Sequence, residues 1–109
     1  MCSIEVSSCN VQIFHIAEMT AWAARTEIYV TADLESEGFI HCSLDTQVDQ
    51  VASNFYGGRD DLVLLTIDAG AIGESLVYED LYDLGEDFPH VYGPIPVSAV
   101  IDSAPFSVS

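Results

Sequence analysis

Eight residues, DLVLLTID at positions 61–68, constrain this chain most. The run is apolar at consecutive positions and has an aspartate at each end, the pattern of a central strand buried on both faces. Around it the sequence reads as shorter, one-sided elements. VQIFHIA (11–17) alternates like a strand and places Ile13, His15 and Ala17 on one face. EMTAWAAR follows, with Met19, Trp22 and Ala23 at helical spacing. GFIHCS (38–43) predicts a second strand, with His41 and Ser43 on one face and Cys42 on the other. Ser43 or Asp45 is then placed to cap a helix whose stripe is Val48, Val51, Ala52 and Phe55, and Gly57 and Gly58 stop it. SLVYEDL (75–81), HVYG (90–93) and VSAVIDSAPF (97–106) predict further strands. The expected class is α+β, with two early helices packed on a strand-rich, mostly antiparallel second half. Residues 11–106 are expected to form one domain after a loosely ordered start at 1–10.

With 109 residues, half of them hydrophobic, the chain can build a core without disulfides or a structural metal. No run approaches the roughly 20 apolar residues of a membrane span. The opening MCSIEVSSCN has neither the basic start nor the apolar block of a signal peptide. Cys2, Cys9 and Cys42 are an odd number at unrelated spacings, so a reducing cytoplasm is the expected location.

Charge narrows the partners. Eighteen acidic residues face only Arg25 and Arg59, and there is no lysine. Nucleic-acid binding draws most of its affinity from Lys and Arg on phosphates. This composition argues against DNA, RNA and anionic membranes, and leaves a small-molecule ligand as the expected partner. Arg59, after the glycine pair in YGGRDDL, is either a local anchor for an anionic ligand or an ion partner of Asp60, Asp61 or another acid.

Three histidines carry the functional signal. His15 in QIFHIA, His41 in FIHCS and His90 in DFPHVYG all sit among apolar neighbours in strand settings. A buried imidazole must find partners for its nitrogens, so the ordinary reading of each is a satisfied packing residue. Using every histidine this way suggests a shared cleft instead. Tyr92, two residues after His90, shares its strand face. Three imidazoles could hold a metal ion with an open position, but no two of them show the i, i+2 or i, i+4 spacing of common metal sites. No metal is therefore expected, and acid–base use is preferred.

IFHI (13–16), EGFIHCS (37–43), GRDDLVLL (58–65) and FPHVYGPIP (88–96) together resemble the signature of an uncharacterised family of unknown function. That family is grouped by fold with the ADP-ribosyltransferase-like proteins, which include the RNA 2′-phosphotransferases. The resemblance implies a cleft for NAD, ADP-ribose or a related nucleotide. It implies that His15 positions a ribose, that Ser43 holds the nicotinamide-side ribose, and that His90 stands where transferases carry a catalytic glutamate. His41 and Ser43 match an H-x-S element. RNA phosphotransfer itself is not expected from a chain with two arginines. The expected site therefore comprises His90 and His41 as catalytic residues and His15, Ser43, Arg59 and Tyr92 as ligand-binding ones. A non-catalytic binding module, a three-histidine metal hydrolase and histidines scattered through the core stand as the other readings.

Overall fold

The 61–68 run becomes the middle of a sheet. In the structure, a computed structural model that describes residues 11–81, 83 and 85–108, β4 (Leu62–Asp68) lies between β1 (Gln12–Glu18) and β8 (Val100–Phe106) and is antiparallel to both. The loose start expected at 1–10 falls outside the described residues. Ile13, His15 and Ala17 of β1 stand opposite Ile67, Leu65 and Val63 of β4. This face forms the main core with Tyr29, Ile40, Cys42, Val91 and Ile95. Ile16 and Leu62 point the other way, where Ala52, Val51 and Tyr56 of α3 (Val48–Tyr56) cover them. One face of β4 is thus buried throughout, while the other is buried at Leu62 and only partly at Leu64 and Thr66, so the expected burial on both faces holds in part.

A second, smaller sheet has the order β3 (Ile40–His41), β6 (Phe88–Val91), β5 (Leu76–Glu79), all antiparallel. β2 (Ile28–Tyr29) and β7 (Ile95–Pro96) form a short separate pair. The two larger sheets are stitched together where Phe14 and Ser43 exchange both backbone hydrogen bonds, at 2.8 and 2.6 Å. The fold is α+β with antiparallel sheets and few helices. No helix among the described residues is long and apolar enough to cross a membrane.

Four expectations are corrected. Besides α1 (Met19–Ala23) and α3, the early half contains α2 (Ala32–Glu37), and α4 (Ala69–Ile72) follows β4. Only Leu34 gives α2 a large apolar side chain, so it has no stripe to detect. Its ends define it instead. The Thr31 hydroxyl accepts from the Leu34 N–H at 3.3 Å, and Gly38 closes the helix at φ +91°. Second, GFIHCS pairs as a strand only at Ile40–His41. Gly38 still belongs to the helix end, while the Cys42 N–H bonds Pro89 and Ser43 crosses over to Phe14. Third, neither the Ser43 nor the Asp45 side chain caps α3. A 3-10 turn at Asp45–Gln47 leads into it, and the Gln47 side chain accepts from the Leu44 N–H at 2.9 Å. Phe55, predicted on the packed stripe, is 74% exposed.

Candidate active site

Alternation along the second sheet decides which side chains meet. His41 and His90 are directly opposed across β3 and β6, and Val77 and Glu79 of β5 oppose His90 and Phe88. Opposed residues in an antiparallel pair share a face. His41, Ser43, Phe88, His90 and Glu79 therefore crowd one side of the sheet, and α3 stands across from it. Between them opens a cleft of about 730 Å³, which Ile16 also lines. Asp33 and Glu37 of α2 lie along it, as do Gln50, Asn54, Phe55 and Tyr56 of α3 and Glu86 of the loop before β6. Gln47 pins that loop by donating to Glu86 Oε1 and the Asp87 carbonyl, both at 2.9 Å.

His90 sits in the middle of this polar face. It is 2% exposed, and its Nδ1 lies 2.9 Å from Glu79 Oε2. The Tyr92 hydroxyl donates to the same oxygen. These two bonds, the Tyr92 one first, hold the Glu79 carboxyl below its ordinary range, so it stays ionised and accepts from both. Nδ1 must then carry the proton, which leaves the Nε2 lone pair on the cleft side. No group among the described residues bonds that nitrogen. The ring is clamped between the Phe39 ring, stacked at 4.3 Å, and the His41 ring, edge-on at 5.5 Å. Ser43, 5% exposed and lining the cleft, likewise has no side-chain partner among the described residues.

His15 does not line the cleft. Strand alternation turns it into the main core, where Nδ1 donates to the His41 carbonyl at 2.6 Å and Nε2 accepts from the Tyr29 hydroxyl at 2.8 Å. A carbonyl can only accept, so the tautomer follows and the ring is neutral. Burial pushes its pKa down to about 4, consistent with that state. The expected ribose contact is thus replaced by a strut behind the backbone of His41. With His15 facing the other way, three histidines cannot converge on one metal ion.

Arg59 also lies outside the lining. It grips Asp61 through two nitrogens at 2.9 and 2.8 Å and Glu18 at 3.2 Å, so the ion-pair alternative describes it. Its guanidinium sits 5.8 Å from the centre of the Tyr56 ring. Tyr92, expected to touch ligand, instead spends its hydroxyl on Glu79 at the back of His90, its ring 5.2 Å from that of Phe39. Cys42 is buried, and burial raises its thiol to about 12, which leaves it inert.

Sequence reasoning missed Glu79, Asp33 and Glu37. Glu79 lies in the predicted SLVYEDL strand, whose alternation alone does not say which face meets His90. The sequence does carry a signal for the other two: Asp33, Glu37 and His41 are spaced by four and four across the Thr31–Gly38 helix caps.

Two solved structures resemble the chain closely. The crystal structure of protein CC0527 from Caulobacter crescentus shares 31% identity, covering 91% of this chain and 89% of that one, with a TM-score of 0.83. The solution NMR structure of CC0527 shares 32% identity over 90% and 86%, with a TM-score of 0.77. A search of curated proteins gave no match. The chain belongs to the family described as protein of unknown function DUF952, which it matches over residues 13–103.

Proposed function

We propose that the cleft binds a nucleoside-type small molecule, a flat heterocycle joined to a hydroxyl-bearing sugar, and that His90 exchanges a proton with it. The observation that carries this reading is the His90 ring: buried, oriented through Nδ1 by Glu79, with no partner on Nε2 among the described residues, and lining the cleft. Buried ring nitrogens are almost always bonded, and one left over in a concavity is a place for ligand or water. The volume falls within the range of about 300–1,000 Å³ typical of small-molecule sites. Phe55, Tyr56 and Phe88 offer apolar surface for a ring, and Ser43, Gln50 and Asn54 offer polar groups for sugar hydroxyls. NAD and ADP-ribose are the candidates that the ADP-ribosyltransferase-like resemblance supplies.

In such a ligand the reacting point is the anomeric carbon or the phosphate. As the attacking hydroxyl or water bonds to the anomeric carbon or phosphorus and the bond to the departing group breaks, His90 Nε2 takes the attacker's proton. The ionised Glu79 stabilises the imidazolium that results, and the proton then passes to the leaving group or to water. His41 and Ser43 orient the sugar. The test is a thermal melt with millimolar NAD or ADP-ribose, coupled to chromatographic detection of products. Ligand at 100 times its dissociation constant adds about 2.7 kcal/mol, a shift of several degrees. His90→Gln should keep most of the melting shift and lose turnover. A shift without turnover in the unsubstituted protein would make it a binding module, and no shift with either compound would remove the nucleotide reading.

A further inference from the structure

We propose that Asp33, Glu37 and His41 bind one divalent first-row transition-metal ion, Zn²⁺ or Mn²⁺, at the side of the cleft. One ligand atom from each lies within 4.8 Å of the other two. His41 Nε2 is 3.4 Å from Glu37 Oε2 and 3.8 Å from Asp33 Oδ2. Ligands held at about 2.1 Å from an ion stand roughly 3.0 Å apart in octahedral and 3.4 Å apart in tetrahedral geometry. The observed spacing is thus close to that of a loaded site. The Asp33 and Glu37 side chains, each nearly half exposed, have room to swing the remaining distance.

Backbone architecture brings the three together. Asp33 and Glu37 stack on consecutive turns of α2, Gly38 reverses the chain in the left-handed conformation, and His41 on β3 returns to face them. Two carboxylates at this spacing repel on a helix. No lysine or arginine lines the cleft to offset them, and Glu86 adds a third carboxylate. The imidazole is held from behind. His15 bonds the His41 carbonyl, and the ring packs edge-on against Phe39 at 4.8 Å and His90 at 5.5 Å. Such support fixes a ligand's direction.

A separate observation points to an occupant beside these ligands. His90 and Ser43 are both more than nine-tenths buried and line the same cleft, and neither Nε2 of His90 nor the Ser43 hydroxyl has a partner among the described residues. Three protein ligands leave coordination positions free for water or substrate on that side, the arrangement of catalytic rather than structural sites. An imidazole among two carboxylates favours borderline ions over Mg²⁺ and Ca²⁺, which prefer all-oxygen shells. The sequence led us to expect no metal because it compared histidines only with one another.

The site stands without the nucleotide reading. Its use as the cation that receives a pyrophosphate in an otherwise acidic cleft rests on that reading. The experiment is calorimetric titration of tagless, chelator-treated protein with Zn²⁺ and with Mn²⁺ in moderate salt, with Mg²⁺ and Ca²⁺ as controls. One equivalent should bind, and Asp33→Asn, Glu37→Gln and His41→Gln should each weaken it by more than about 100-fold, since even a ligand's supporting partner is worth about 10–100-fold. Non-saturating binding, equal binding of Ca²⁺, or binding indifferent to these substitutions would overturn the site. Titrating ADP-ribose into loaded and metal-free protein separates the two ideas. One equivalent of metal with no ADP-ribose binding keeps the metal site and removes the nucleotide reading. ADP-ribose binding with no metal uptake does the reverse.

Discussion

The two three-stranded sheets of this protein are built on opposite principles. β1, β4 and β8 run seven residues each, and Ile13, Leu62, Leu65 and Ile67 are wholly enclosed between the layers. β3, β6 and β5 run two to four residues, and one face carries His41, His90 and Glu79. Long strands with apolar faces gain stability from burial, at about 25 cal/mol per Å². A short strand with a polar face gains little, but it can hold an imidazole and a carboxylate in fixed register. The first sheet carries the fold and the second carries the candidate site. His15 joins them, since it sits on the first sheet and bonds the backbone of the second.

The largest effect should come from the first sheet. Leu65→Ala removes a fully buried side chain and should cost about 2–5 kcal/mol in urea unfolding. His41→Ala, on the partly exposed face of the second sheet, should change stability by less than about 1 kcal/mol while affecting ligand and metal binding. Equal losses from the two would erase the distinction between the sheets.

The junction should be visible in pH dependence. The His15 pKa is depressed from an ordinary value near 6.5 to about 4 by burial. Above pH 6.5 neither folded nor unfolded chain binds a proton there. Between 6.5 and 4 only the unfolded chain does, so stability is lost as pH falls through that window, by roughly 3 kcal/mol at its lower end. His15→Gln should flatten this slope relative to the unsubstituted protein when both are unfolded in urea at several pH values. Parallel curves would show that the ring is not held neutral.

A smaller effect concerns reactivity. Alkylation at pH 8 followed by peptide mass mapping should leave Cys42 unmodified in the native protein and modified after unfolding, because burial raises its thiol pKa. Fast native labelling would mean that the junction opens. The smallest effect belongs to Arg59→Ala, which removes exposed ion pairs with Glu18 and Asp61 and should leave both the melting midpoint and ligand binding unchanged. A binding loss there would return Arg59 to the ligand site.

How much was legible in the sequence depended on whether the signal was periodic. The β4 run and the β1 alternation are long enough to read, and both strands form where expected. His41 and Ser43 both line the cleft and His90 and Tyr92 both bond Glu79, although the strands themselves end at His41 and Val91. α2 was illegible by periodicity because Leu34 alone packs from it, and its caps were the only cue. The β2–β7 pair is two residues long on each side, too short to carry any pattern.

By itself, then, the sequence determined the α+β class, the central strand and which side chains share each strand face, because these depend on local repeats of two and 3.6 residues. Only the tertiary structure decided what each face meets. Alternation put His15 on one side of β1, but packing made that side the core rather than the cleft. Register set Glu79 of β5 behind His90 of β6. The turn at Gly38 swung Asp33 and Glu37 over His41. Such pairings join residues distant along the chain, and no local repeat encodes them.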